Sequence, residues 1–151
     1  MLSRGVKAAL QSFSGDGGKR WEPQSDAFPH VNSKCTIRRL KSGAILLIRH
    51  GQDMATATPS RRELTAFLSR DDGRSWSPGL LLDERDGVSY PDISQAPDGD
   101  IYIHYDRNRN TDSEILFARI REEDVLAQEL LSEQASLRNV IKSRSGMKRD
   151  G

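Results

Sequence analysis

The chain has 151 residues, a formal net charge of +1 and 30% charged residues. That balance gives no broad field for nucleic acid or an anionic membrane surface. A lone cysteine, Cys35, excludes an internal disulfide framework, and the absence of any run of about eighteen apolar residues excludes a transmembrane helix.

Taken in chain order, residues 1–30 read as the remnant of a structural unit. A short segment from Ala8 to Phe13 leads into Ser14-Gly-Asp16-Gly-Gly18-Lys-Arg20-Trp21, and a polar stretch runs on to Pro29. These residues are expected to form two outer strands whose inner strands are absent. Residues 31–84 read as a whole unit of four strands. Cys35 to Leu40 forms one, Lys41-Ser42-Gly43 turns it, and the apolar run Ala44 to Ile48 suits an inner strand buried on both faces. Gly51 to Ser60 is a polar loop, Leu64 to Leu68 a third strand, and Leu80 to Leu82 the fourth. Between the last two stands a second copy of the first motif, Ser69-Arg-Asp71-Asp-Gly73-Arg-Ser75-Trp76.

Residues 85–141 repeat the plan. Tyr90 to Ala96 and Ile101 to Tyr105 flank a Pro97-Asp98-Gly99 turn, in which proline presets its own φ and glycine supplies a positive one. Glu114 to Ile120 follows a polar loop, a helix begins near Arg121, and Leu130 to Ile141 is an amphipathic closing segment of open type. Residues 142–151 are basic and expected to be disordered.

Both copies of the motif fit SxDxGx(S/T/R)W, with Ser75 holding the hydroxyl position that Arg20 fills in the first. An aspartate that bonds the backbone ahead of it, followed by glycine at positive φ, builds a tight turn; the tryptophan then packs on the flanking strands. The spacing marks repeated units of about 40–55 residues, the size of a propeller blade. The motif resembles the Asp-box of sialidases and related six-bladed β-propellers, which makes Ser14, Asp16, Gly18, Trp21, Ser69, Asp71, Gly73 and Trp76 structural. The expected fold class is therefore all-β, an incomplete β-propeller of two to three four-stranded antiparallel blades with a short C-terminal helical segment. Closed propellers need about four to eight blades, so earlier blades are expected to be missing before Met1. With no secretory signal at that start, the compartment is left open.

From Val31 to Ile141 the chain resembles the C-terminal part of sialidase-family (BNR-repeat) proteins, most specifically in VSYPDISQAPDGDIYIHYDRNR. The resemblance implies a sugar whose carboxylate is held by three arginines, a tyrosine nucleophile, an assisting glutamate and an aspartate acid/base. Tyr90 matches the nucleophile. A phenol suits an anomeric carbon bearing a carboxylate, because an anionic nucleophile is repelled there; with an ordinary pKa near 10 it needs cationic neighbours or a base. The plain alternative is a core tyrosine. Arg49 and Arg61 match two of the arginines, since guanidinium forks fit a carboxylate bidentately; Arg62 rivals Arg61 by one residue of register. Asp92 is a candidate to orient Tyr90 or a sugar hydroxyl. Asp106, Arg107 and Arg109 read as rim residues or as lining of the same cavity.

Two parts of the family pattern are missing. The third arginine and the acid/base aspartate belong to the absent blades, and Asn32-Ser33-Lys34 stands where the assisting glutamate is expected. The histidines His30, His50 and His104 lack metal-ligand spacing, and no cofactor motif occurs, so no metal and no cofactor are implied. The leading expectation is a sialidase-like retaining glycoside hydrolase acting on terminal sialic-acid-like sugars, with the isolated fragment inactive. The alternative is a non-catalytic propeller that binds glycans or proteins. A third reading is a truncated product with no stable function, whose open strand edges self-associate.

Overall fold

The computed structural model describes residues 1–144. Eleven strands form three antiparallel sheets, and the described residues include one short helix. The first sheet holds β1 (Leu2–Arg4), β2 (Ala8–Gln11) and β3 (Ser25–Pro29) in chain order. The second is the meander β4 (Thr36–Arg39), β5 (Ile45–His50), β6 (Leu64–Ser69) and β7 (Leu80–Asp83). The third runs β8 (Val88–Gln95), β9 (Ile101–Arg107), β10 (Glu114–Ile120) and β11 (Ser136–Lys142), with α1 (Glu122–Ala127) bridging the last two.

The second sheet is the middle layer. Every residue of β5 and β6 is buried, which explains the apolar run at the start of β5; in β6 Thr65 and Phe67 are covered as fully as Leu64, Ala66 and Leu68. One face, with Leu46, Ile48, Leu64, Ala66, Leu68, Leu80 and Leu82, packs on Val88, Ile93, Ile101, Ile103, Leu116 and Ile120 of the third sheet and on Val125 of α1. The other face, with Leu47 and Phe67, meets Ala9 and Phe28 of the first sheet. Each fully buried large side chain contributes about 1.5–3 kcal/mol, so the middle sheet is the main source of cohesion.

Local chemistry sets the turns. In the second box Ser69 Oγ donates to Asp71 Oδ1 at 2.8 Å, the Ser75 amide donates to the same oxygen at 2.8 Å, and Ser75 Oγ reaches Oδ2 at 2.6 Å. Those bonds, Ser75's side chain foremost, hold the Asp71 carboxyl at about 2. In the first box Asp16 accepts from Ser14 Oγ and from the Lys19 and Arg20 amides, but Arg20 offers no hydroxyl. Gly73 has φ 86° and Gly18 φ 89°, as the turn requires. Trp76 packs against the Leu47–Phe67 cluster, whereas Trp21 is half exposed.

Two expectations change. The first sheet has a third strand, β1, paired to β2 from Leu2↔Gln11 to Arg4↔Ala9, where only two strands were anticipated. The closing segment resolves into β11, the outer strand of the third sheet, paired to β10 through two register shifts. Lys142 ends β11, and the tail expected to be disordered lies outside the described residues from 145 onward.

Leu46 is fully buried at the interface of the second and third sheets. Leu46→Ala is expected to lower stability by about 2–5 kcal/mol, read as a fall in urea midpoint at unchanged m-value. A loss below about 1 kcal/mol is inconsistent with a well-packed interface there.

Candidate functional site

β8 is broken by an irregularity where it pairs with β9: Ser89 faces Asp106 and Asp92 faces His104, with Tyr90 and Pro91 between them. Tyr90 sits at φ 54°, a left-handed conformation that is costly for a bulky side chain. The consequence is visible in burial. Ser89 and Pro91 are buried, while the ring of Tyr90 is turned outward and 38% exposed.

Cations from every layer collect around that ring. The Arg109 guanidinium, from the loop after β9, lies 4.1 Å from the ring centroid, and Arg61, from the loop before β6, lies 5.7 Å away. Arg4 of β1 and Lys34, before β4, line a hollow of about 330 Å³ with Tyr90 itself. A neighbouring hollow of about 510 Å³ is lined by Arg61, Ser89, Asn108 and Arg109. Hydrogen bonding by Arg109 and then Arg4, with the charges of Arg109 and Arg61, lowers the Tyr90 phenol below its ordinary value. Stacking of guanidinium on the ring face adds attraction.

The carboxylates hold this arrangement in place. Asp106 accepts from Ser89 Oγ at 2.5 Å through one oxygen and from Arg109 Nε at 3.0 Å through the other, so it fixes both the bulge and the guanidinium stacked on it. Asp92 is exposed, caps its neighbour's amide on Ile93 at 2.9 Å and lies 3.9 Å from Lys34. Arg61 also donates to the Asn32 carbonyl at 3.2 Å. Arg62 turns to Glu63, 3.5 Å away, leaving Arg61 as the arginine at Tyr90.

Arg49 goes elsewhere. On β5, Leu47 and Arg49 share the face toward the first sheet, and Arg49 is fully buried there with its guanidinium over the rings of Phe28 and Phe67. It donates to the carbonyls of Pro29 at 2.6 Å, of Thr56 at 3.0 Å and of Asp53. Burial lowers its pKa to about 10. In this structure Arg49 ties layers together and is not among the groups that surround Tyr90. The structure thus brings together Tyr90, Arg61 and, through Lys34, Asp92 from the sequence candidates. It adds Arg4 and Lys34, and Arg109, read as a rim or cavity-lining residue, both pairs with Asp106 and stacks directly on the ring.

Ser33, at the place of the expected glutamate, is fully buried with no hydrogen-bond partner for its hydroxyl. Cys35 lines the Arg4–Lys34 hollow, and burial raises its thiol pKa. No cluster of three or more metal-ligating side chains occurs among the described residues, and no helix among them is long and apolar enough to cross a membrane.

Stacked antiparallel sheets, two of them carrying the same serine-aspartate-glycine-tryptophan turn, define a repeat protein of the Asp-box kind. The model of the BNR repeat-like domain matches residues 1–103, and the chain belongs to that family, consistent with the resemblance to sialidase and BNR-repeat proteins. The matched span includes both boxes, Arg4, Lys34, Arg61 and Tyr90; it ends inside β9, before Arg109. Comparison with curated proteins and with solved structures finds no match.

Because Arg109 is the main cause of the lowered phenol, Arg109→Gln is expected to raise the Tyr90 pKa toward its ordinary value. The check is tyrosinate absorbance followed against pH, with Tyr90→Phe subtracted to isolate this ring. An unchanged titration means that Arg109 does not act on the phenol.

Proposed function

We propose that the chain comprises blades of a sialidase-like β-propeller whose Tyr90 face takes an anionic sugar. The observation that carries this reading is a strained, outward-turned phenol flanked by two guanidiniums. Strain at a non-glycine residue persists where surrounding structure over-determines it, and it concentrates at working sites. The hollow beside the ring sets Arg4 and Lys34 next to Leu2 and Cys35, and the neighbouring one sets Arg61 and Arg109 next to Ser89 and Asn108; those cations suit a negatively charged ligand that also has apolar faces, as a sugar ring does.

In the catalytic form of this reading the Tyr90 phenol passes its proton to water and Oη attacks the anomeric carbon; the bond to the leaving-group oxygen breaks, and that oxygen takes up a proton from water. Water later releases the sugar with net retention. Arg61, Arg109 and Arg4 hold the ligand's carboxylate and make the phenol easier to ionise, although none of them can accept its proton. In this reading Asp92, exposed beside Lys34, accepts from a sugar hydroxyl.

A second reading, a glycan-binding propeller without hydrolysis, is favoured by one feature. The groups acting on the Tyr90 phenol are arginines, and the cluster's carboxylates, Asp92 and Asp106, are engaged with Lys34 and Arg109. No unpaired acid stands ready in this cluster to protonate the departing oxygen. The three-layer stack and its open first and third sheets also make association through strand edges a proposal to be tested alongside.

Incubation with a fluorogenic sialoside, together with calorimetric titration of a sialylated trisaccharide, separates the readings. Hydrolysis abolished by Tyr90→Phe, with sugar binding retained, is the catalytic outcome. Absence of hydrolysis, with binding that survives Tyr90→Phe and is lost in Arg109→Ala, is the binding outcome. Neither turnover nor binding by the wild-type chain removes both.

A further inference from the structure

Behind Tyr90 the three sheets meet at a buried polar seam that neither reading uses. His30, just past β3, and His50, the last residue of β5, are 3% and 0% exposed. Their ring centroids lie 5.6 Å apart at 37°. His50 Nε2 lies 2.9 Å from the carbonyl of Val88, the first residue of β8 and two positions ahead of Tyr90. A carbonyl only accepts, so that nitrogen carries the proton. His50 Nδ1, both ring nitrogens of His30 and the Ser33 hydroxyl have no hydrogen-bond partner.

The surroundings are hostile to a second proton. From β5, Arg49 acts on both rings; from the loop before β6, Arg61 acts on His50. The first sheet presents the edge of Phe28 to His30, its ring 6.0 Å away at 81°. The Ser33 backbone and the Val88 carbonyl favour the charged form, and burial outweighs them. Among the described residues no carboxylate acts on either imidazole. An imidazolium here therefore stands beside guanidinium charge in a place sealed from water.

We propose that the His30–His50 pair is a proton-operated wedge: neutral, the two rings pack on each other and hold the first sheet against the head of β8; charged, they repel each other and the guanidiniums of Arg49 and Arg61, part the first sheet from β8 and release Tyr90 from its arginines. Burial first, then the neighbouring positive charges, keeps His30 neutral down to about 4, and burial lowers His50 as well. The unfolded chain protonates both rings near the ordinary value of about 6.5. The coupling is thus fully stabilising above that value and is lost as pH falls through the interval down to the folded values. Its use as a regulator rests on the reading of Tyr90 as the sugar site; the mechanical coupling does not.

The test is an NMR titration from pH 8 to about pH 3.5 of the whole chain labelled at histidine and tyrosine ring carbons, with Tyr90→Phe assigning the phenol. Both buried rings are expected to stay neutral well below the ordinary histidine value, with the Tyr90 resonances moving at the same midpoint. In His30→Phe and His50→Gln, the latter keeping a donor for Val88, the Tyr90 shift shrinks. Wild-type Tm should fall by roughly 4–8 °C between pH 7 and pH 5, and by less in the variants. Protonation of either ring at or above the ordinary value, or a Tyr90 signal that ignores their titration, overturns the proposal. Should a variant fail to fold, the wild-type titration alone decides. Since the readout is a resonance shift and not turnover, the wedge is tested equally well in a chain that binds no sugar.

Discussion

The arrangement depends on one buried guanidinium. Arg49 sits between the first and second sheets with no carboxylate in hydrogen-bond contact, its charge met by the carbonyls of Pro29, Asp53 and Thr56 and by the faces of Phe28 and Phe67. A lone buried charge costs several kcal/mol unless its donors are satisfied. The chain satisfies Nη1 and Nη2 by bringing the end of β3 against β5 and curling the loop after β5 back over it, while Nε has no hydrogen-bond partner. Gly51, at φ 92°, lets that loop pass, since a Cβ there would stand 3.2 Å from Arg49 Nη2. With the loop so placed the Gly51 amide bonds the Glu63 carbonyl, and the Gly87 amide bonds that of Arg61. Arg61 is thereby delivered to Tyr90, and β8 is set beside β5. The site is downstream of the seam.

What the sequence made legible is what is decided locally. Both turns close locally, because serine, aspartate and glycine within five residues fold the turn without help from the rest of the chain, but of the two tryptophans only Trp76 packs on the core while Trp21 is half exposed. The strand β5 is recognisable from its apolar run, β6 from the alternation of Leu64, Ala66 and Leu68 with Thr65 and Phe67, and the turns at Gly43 and Gly99 from residues that tolerate positive φ. The strand β11 was not legible. Its pairing to β10 shifts register twice and it carries Arg138 at φ 57°, so the alternation of a regular strand is scrambled. The three-residue β1 offers too little pattern to declare itself.

The candidate site was half legible for the same reason. Tyr90 and Arg61 were accessible through motif resemblance, but nothing near Arg4 or Lys34 in sequence marks them; they arrive because the first sheet packs on the second. Arg49 shows the converse. Its position at the end of an inner strand suggested an open mouth, yet the side of β5 on which it falls is closed by Phe28. Whether a strand-end arginine meets solvent or the next sheet is a question of layer packing, and that information is non-local.

A second arginine–tyrosine stack in the same sheet shows what sets Tyr90 apart. Arg119 lies 5.7 Å from the ring of Tyr102, but both it and Arg121 bond to Asp100, which is 2% exposed. The carboxylate there is enclosed by its partners, and the backbone of Tyr102 is an ordinary strand running in register with Arg119. At Tyr90 the balance is reversed. Asp106 is shared between Arg109 and the Ser89 hydroxyl, so it steadies the bulge as well as one guanidinium, while Arg61 has only the Asn32 carbonyl and the tyrosine ring for company. The first arrangement is a closed ionic clasp. The second holds uncompensated positive charge against a phenol that the backbone has turned outward, and that surplus, rather than the mere presence of arginine beside tyrosine, is what an anionic ligand can use.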